Sequence, residues 1–167
     1  LGCFSFNGNK VITTGSGGMI VTNNAKLAKK ARYLISQAKD DSEKWIHNQI
    51  GYNFRLTNMQ AALGVAQLEQ LNQFLKRKKH IHKKYTEGVS KIKHLSIAVV
   101  PDYANNNHWL NILQINDKNY KKKKNELKNK LKKKYIQTGE IFFPNHLQRP
   151  YKNFQTYKIK NLQKMIN

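Results

Sequence analysis

The sequence predicts an α/β fold, because short apolar runs typical of strands alternate with segments whose apolar residues recur at helical spacing. Residues 3–6 and 18–22 are predicted to be strands, and the segment that joins them carries Lys10. Residues 23–38 follow with leucine and alanine three or four positions apart, after a candidate N-cap asparagine at position 23 or 24. Residues 39–56 show no sustained period, so we expect an ordered loop there.

A long helix is predicted from about Thr57 to about Tyr85. Its apolar side consists of Met59, Ala62, Leu63, Ala66, Leu68, Leu71 and Leu75. Composition changes near Lys76, where lysine becomes abundant. We therefore place a domain boundary inside or just after this helix, between residues 1–76 and residues 77–167.

The second part of the chain has the pattern of a small α/β domain. Strands are predicted in residues 95–101, 108–116 and 136–144. A polar helix is predicted in residues 121–134, where only Leu127 and Leu131 form an apolar stripe.

The charge is strongly positive and unevenly distributed. The net charge of +22 comes from 31 basic and 9 acidic residues, and residues 1–75 hold only 8 of the basic and 4 of the acidic ones. The surplus lies in lysine runs that lack the planar fork with which arginine recognises bases and phosphates. We interpret these runs as solvated helix faces and expect no specific nucleic-acid partner, while a basic module that binds polyanions stays open as the alternative.

Several classes of protein are disfavoured by the sequence. No apolar run is long enough to span a bilayer and no secretory signal is evident, so we expect a cytoplasmic protein with no membrane partner. The single cysteine, Cys3, is interpreted as a small buried apolar residue without chemistry, and no metal site is predicted. Because the chain opens at Leu1 with residues of strand character, we expect an amino-terminal portion to be missing.

Lys10 stands out by its neighbours. It follows the turn sequence Asn7-Gly8-Asn9 and precedes a glycine cluster, in the least basic part of the chain. A lysine amine held against a carbonyl in a dry site forms a Schiff base, and glycines allow backbone to pass close to a bulky ligand. From the residues alone, a surface lysine in a hairpin turn is the alternative.

Four segments, taken in order, resemble a known family. They are "SFNGNKVITTGSGGMIVT", "AKKARYLISQAKDD", "IGYNFRLTNMQAALGVAQLEQL" and "FPNHLQRPY". Together they are similar to the sugar aminotransferases of the DegT/DnrJ/EryC1/StrS family, which depend on pyridoxal phosphate (PLP) and have the aspartate-aminotransferase type of fold (fold type I). The resemblance runs from Phe4 to about Tyr151 and implies the carboxy-terminal half of such an enzyme, with the end of the large PLP-binding domain in residues 1–76 and the small α/β domain in residues 77–167.

The resemblance assigns roles to individual residues. Lys10 matches the lysine that forms the Schiff base, and Ser5 matches the serine that hydrogen-bonds the cofactor phosphate. Asn53 matches the asparagine that reaches the phosphate of the neighbouring subunit's cofactor, and Arg55 lies beside it where a cation suits an anionic ligand; a loop residue that caps the long helix is the alternative for Asn53. His146 matches a histidine near the substrate entrance, with a half-buried loop histidine as the alternative.

The resemblance also implies an activity. Within the family, the sequence is most similar to enzymes that aminate the 4-keto group of nucleotide-linked deoxysugars, as in legionaminic-acid-type pathways. The resemblance further implies that glutamate is the amino donor and that the enzyme is a homodimer with shared active sites. Gly139, Glu140 and Phe142 stand where relatives tend to read arginine-proline and then tryptophan, so substrate recognition by this segment stays open. We expect the chain to be inactive alone as a fragment; a degenerate remnant without activity is a further alternative.

Overall fold

The computed structural model describes residues 1–41, 43–116, 123–157 and 159. These residues group into two compact units, Leu1–Gln114 and Ile115–Asn167. The domain boundary predicted near Lys76 stays a prediction. Lys76 itself lies within a helix.

The first unit opens with an antiparallel hairpin. Strand β1 spans Gly2–Ser5 and strand β2 spans Gly18–Val21, with Gly2 opposite Val21 and Ser5 opposite Gly18. A Cβ atom at Gly18 would lie 2.4 Å from the carbonyl oxygen of Phe4, so only glycine fits at this position, where the two strands pair. Both strands confirm the sequence prediction.

Helix α1 spans Ala25–Ile35 and begins at the predicted cap. The Oδ1 atom of Asn24 accepts hydrogen bonds from the backbone amides of Lys26 and Leu27, at 3.0 and 3.2 Å. These bonds satisfy two amides that the first helical turn leaves without partners. Of the two candidate caps, Asn24 is therefore the one used.

The loop after α1 is ordered, as predicted. Isolated bridges pair Ser36 with Asn53 and Asp41 with Ile46. Ala38 at its centre is fully buried, and a Cβ atom on Gly51 would lie only 2.3 Å from the Ala38 nitrogen. The loop folds back on itself because a glycine at this position lets two backbone segments touch.

The predicted long helix is two helices. Helix α2 spans Asn58–Glu69 and helix α3 spans Leu71–Val89, and Gln70 between them has a backbone that interrupts the helix, with φ −98° and ψ 0°. The prediction of one continuous helix was wrong because neither glycine nor proline marks the break and the apolar spacing continues across it. Thr57 caps α2 through a capping box with Gln60.

The described residues bury few apolar side chains. The buried apolar residues among them are Ala38, Ile97 and Pro144, while Phe4 is 57% and Met59 is 85% exposed. Cys3 is exposed, so the expectation that it is buried was wrong for this chain. The apolar faces that the sequence assigns to a core therefore lie open on the hairpin and on α2.

A second pair of strands is shorter than its sequence predicts. Strand β3 spans Leu95–Ile97 and strand β4 spans Leu113–Ile115, and the two form a two-stranded sheet. One further bond, from the Ala98 amide to the Ile112 carbonyl at 2.9 Å, extends the pairing. Trp109, inside the predicted strand, lies instead in the segment that leads into β4.

The second unit contains helix α4, which spans Lys124–Lys133, and two short 3-10 turns, Asn145–Leu147 and Arg149–Tyr151. The helix confirms the prediction over these residues, while positions 121 and 122 lie outside the described part of the chain. Residues 136–144 form no strand, so that prediction was wrong: β-branched and aromatic residues favour extended backbone, but a strand also needs a partner edge.

Glu140 in this extended segment is held by helix α4. Its carboxylate lies 2.7 Å from the Lys128 amine and 3.1 Å from the Lys124 amine. The hydrogen bond from Lys128, followed by the one from Lys124, lowers the pKa of Glu140.

No helix among the described residues is long and apolar enough to cross a membrane.

The glycines at the end of the β1–β2 connection provide a test of backbone strain. Gly17 has φ +94°, and a Cβ atom there would lie 2.6 Å from Leu56 Cδ2. We expect Gly17→Ala to lower the free energy of unfolding by roughly 1–3 kcal/mol. Gly15→Ala is the matched control, because Gly15 has φ +82° but nothing within 4 Å of the added atom. Urea titrations that show equal losses for both variants would contradict the packing of Gly17 on Leu56.

The ion pairs of Glu140 predict a pH dependence. A carboxyl group whose pKa is lowered by folding stabilises the fold above its unfolded pKa, and this contribution is lost as the pH falls through the folded value. We therefore expect Glu140→Gln to destabilise the protein at pH 7 and to have a smaller effect at about pH 3, below the ordinary glutamate pKa. Thermal melts at both pH values and in high salt measure this, and a difference that does not shrink in acid would refute it.

Candidate active site

The connection between β1 and β2 is closed at its base by the backbone of Phe6. The Phe6 amide donates to the Gly17 carbonyl at 3.0 Å. The Phe6 carbonyl accepts from the Thr14 amide at 3.0 Å and from the Thr13 hydroxyl at 2.9 Å. Residues 6–17 therefore form a closed loop with a defined tip.

Lys10 lies at that tip. Its amide donates to the Asn7 carbonyl at 3.0 Å, which closes a four-residue turn. The Asn7 amide in turn donates to the Ser5 hydroxyl at 3.4 Å. Ser5 and Lys10, both selected from the sequence, are thus both hydrogen-bonded to the backbone of Asn7 at the end of β1.

The amine of Lys10 contacts an aromatic ring. Its Nζ atom lies 3.8 Å from the centroid of the Trp109 ring, which is the geometry of a cation–π interaction. The indole Nε1–H of the same tryptophan donates to the Asn9 carbonyl at 2.7 Å. Sequence reasoning missed Trp109, because nothing in the spacing of the two segments indicates that residues about a hundred positions apart meet.

The segment that carries Trp109 is held by helix α3. Lys78 Nζ donates to the Trp109 carbonyl at 3.1 Å, and Asn107 Oδ1 accepts from the Trp109 amide at 3.0 Å. Farther along the helix, His82 Nδ1 lies 2.8 Å from Asn111 Oδ1. The helix therefore contacts the segment at the tryptophan itself and two residues beyond it.

A pair of histidines lies beside this anchor. His82 and His108 stack with ring centroids 4.1 Å apart and planes inclined by 25°. Burial is the main cause that lowers the pKa of His108, and the nearby charges of His82 and Lys79 lower it further. The fold therefore disfavours a positive charge on the His108 ring.

The other end of the loop packs on the start of α2. Gln60 Nε2 donates to the Ser16 hydroxyl at 3.2 Å, and Thr14, which is buried, lies close to Gly64 on the next turn of the helix. A Cβ atom on Gly64 would approach Thr14 Cγ2 to 3.0 Å. The loop that carries Lys10 is thus supported by helix α2 as well as by Trp109.

Asn53 and Arg55 lie just before helix α2. Together with Leu56, Thr57 and Asn58 they line an open cleft of about 360 Å³. A guanidinium beside the amino-terminal end of a helix makes this cleft favourable for an anion. Among the described residues, no hydrogen bond or ion pair joins Asn53 or Arg55 to Lys10 or Ser5, so the chain presents two separate groups of candidate residues.

The two remaining positions of interest lie in the second unit. His146 is half-buried on the turn Asn145–Leu147. Glu140 makes the ion pairs with α4 described above, so its negative charge is compensated by lysines of its own unit.

Comparison with known proteins matches the chain to one family over almost its whole length. Residues 1–165 match the model of the DegT/DnrJ/EryC1/StrS aminotransferase family. The GDP-perosamine synthase of Escherichia coli O157:H7 is 36% identical over 89% of this chain and 39% of its own length. The UDP-4-amino-4,6-dideoxy-N-acetyl-beta-L-altrosamine transaminase of Campylobacter jejuni (strain 81-176) is 34% identical over 66% of this chain and 30% of its own length.

The fold also matches solved structures. The structure of Helicobacter pylori PseC, an aminotransferase involved in the biosynthesis of pseudoaminic acid, superposes with a TM-score of 0.80 at 24% identity, over 98% of this chain and 44% of that one. The chain thus spans less than half the length of each of these proteins, and it is part of a fold type I structure. It belongs to the DegT/DnrJ/EryC1/StrS aminotransferase family, for which pyridoxal phosphate is the indicated cofactor.

Proposed function

We propose that this chain provides the lysine-bearing part of a PLP-dependent enzyme that transfers the amino group of glutamate to a keto group of a nucleotide-linked deoxysugar in the cytoplasm. The observation that carries the proposal is the turn at the end of β1, where Lys10 is held beside Ser5 and against Trp109. The names of the two relatives, a GDP-sugar synthase and a UDP-sugar transaminase, support nucleotide-linked sugars as the substrate class.

The residues of this turn fit the cofactor. The half-buried Lys10 makes no ion pair with any acidic side chain in the described part of the chain, so its amine is available to bond with an aldehyde. The Ser5 hydroxyl accepts a bond from the Asn7 amide, and its own hydrogen is left to donate to a phosphate oxygen. Covalent attachment and phosphate binding would thus come from two residues of one turn.

The chemistry divides between cofactor and protein. When bound, PLP draws electrons away from the carbon that carries the transferred nitrogen, and the hydrogen on that carbon becomes acidic. Lys10 Nζ would remove that hydrogen from the α-carbon of glutamate in the first half of the reaction. In the second half, the same amine would return a proton to the carbon of the sugar that gains the nitrogen.

Asn53 and Arg55 are proposed to act across a subunit interface. They lie in a separate cleft whose cationic side chain and helix amino terminus suit a phosphate. A homodimer in which this cleft faces the phosphate of the partner's cofactor would give them a role without contact to Lys10 of their own chain. His146 is proposed to contact the substrate, and the pairing of Glu140 with two lysines reduces its repulsion of an anionic sugar nucleotide.

We further propose that these 167 residues do not transaminate alone. The hairpin that carries Lys10 exposes Phe4, Met19, Ile20 and Val21, apolar residues that remaining parts of the fold would cover. The division into the end of a PLP-binding domain (residues 1–76) and a small domain (residues 77–167) is part of the same proposal.

The lysine assignment is testable by chemical trapping. The chain, joined to or combined with the portion of the fold that its relatives carry, is incubated with PLP, reduced with borohydride and digested. We expect the pyridoxyl group on Lys10 and its loss in Lys10→Ala. Lys39→Ala is the matched control, because Lys39 also lies 3.8 Å from a tryptophan ring, that of Trp45. A pyridoxyl group that remains on other lysines at equal yield in Lys10→Ala would refute the proposal.

A further inference from the structure

We propose that Trp109 is a positioning residue for Lys10, holding the lysine amine at the tip of the β1–β2 loop whenever that amine is not bonded to the cofactor. This inference rests on the proposed function for its catalytic meaning. Its structural content rests only on the contacts of Trp109.

Trp109 fixes the lysine at both ends. The ring face lies 3.8 Å from Nζ at the end of the side chain, and the indole N–H donates at 2.7 Å to the carbonyl of Asn9, the residue before Lys10. One side chain thus restrains both the backbone from which the lysine projects and the amine that reacts. A lysine side chain has many accessible rotamers, so a free amine would otherwise explore many positions.

Trp109 is suited to this role because it is itself restrained. Lys78 of helix α3 donates to its carbonyl, and Asn107 accepts from its amide. The stack of His82 on His108 connects the same helix to the neighbouring residue. The backbone of Trp109 is therefore held by a nineteen-residue helix, Leu71–Val89, while the indole N–H bonds to the loop.

The type of contact also suits a reactive amine. A carboxylate would hold lysine through a strong ion pair that must be broken before reaction, whereas an aromatic face attracts the ammonium group weakly and accepts no strong hydrogen bond from it. The amine can therefore leave the ring for the cofactor and return to it. The indole N–H, which bonds to the backbone, keeps the ring in place while the amine is away.

The chain contains its own matched control. Lys39 lies over the ring of Trp45 at the same distance of 3.8 Å, in the loop that follows α1. Trp45 is 64% exposed, whereas Trp109 is half-buried. The two pairs allow the effect of removing a tryptophan on its own lysine to be separated from any general effect on the fold.

The test is competitive labelling of the cofactor-free full chain with a trace of acetic anhydride, followed by peptide mapping. We expect Trp109→Leu to raise the labelling rate of Lys10 about two- to fivefold relative to Lys39, as expected for the loss of a cation–π contact. Trp45→Leu should raise Lys39 and leave Lys10 unchanged. Trp109→Phe, which keeps a ring but loses the bond to Asn9, should give an intermediate rate at Lys10.

The outcomes separate the inference from the proposed function. If Trp109→Leu unfolds the chain, Lys10 and Lys39 will both react faster. The labelling rate of Lys10 relative to Lys39 in Trp109→Phe then tests the inference. Equal Lys10 rates in the wild type and in folded Trp109 variants would overturn the inference, even if PLP attaches to Lys10. A second arm measures the rate of PLP attachment to Lys10 in the chain joined to or combined with the portion of the fold that its relatives carry. We expect this rate to fall in Trp109→Leu and not in Trp45→Leu. A wild type that never attaches PLP at Lys10 would overturn the proposed function and the catalytic meaning of the contact, whereas the labelling rates still decide whether Trp109 positions the amine.

Discussion

The closure of the β1–β2 loop by the backbone of Phe6 is the constraint on which the candidate site depends. The amide and the carbonyl of Phe6 both form hydrogen bonds across the base of the loop, so residues 7–16 form a closed loop with a defined conformation. The tip can then be held from outside by Trp109, and the glycine end can pack on α2 through Gly17. The loop that carries Lys10 is closed mostly by backbone hydrogen bonds, which explains why this lysine stands among glycines and hydroxyl residues.

Local structure was largely predictable from the sequence. Asn24 was a candidate N-cap because its side chain can accept from amides of the first helical turn, and the structure uses it in that way. The two strands of the hairpin were predicted from short apolar runs on either side of the segment that carries Lys10, and the resemblance to the family assigned Lys10 and Ser5 to one site. In the structure both residues are hydrogen-bonded to the backbone of Asn7, just after β1.

Features that depend on distant contacts were not predictable. The break at Gln70 follows no glycine or proline, and residues 136–144 have strand composition but no strand in the described structure. Cys3 was expected in a core, yet it is exposed, since the apolar residues of the hairpin have few partners within this chain. Trp109 reaches Asn9 across a hundred positions, and no periodicity carries information about such a contact.

The central claim, that Lys10 is the cofactor lysine and Trp109 its immediate neighbour, can be tested by energy transfer. After PLP is reduced onto the protein, tryptophan is excited and the emission of the pyridoxyl group is recorded in the wild type and in two variants, Trp109→Phe and Trp45→Phe. The account predicts that the sensitised emission falls strongly in Trp109→Phe and persists in Trp45→Phe, because the bond from the Trp109 indole N–H to the Asn9 carbonyl keeps the ring beside Lys10 after the amine has bonded to the cofactor. Equal emission from the two variants, or a loss in Trp45→Phe alone, would contradict it.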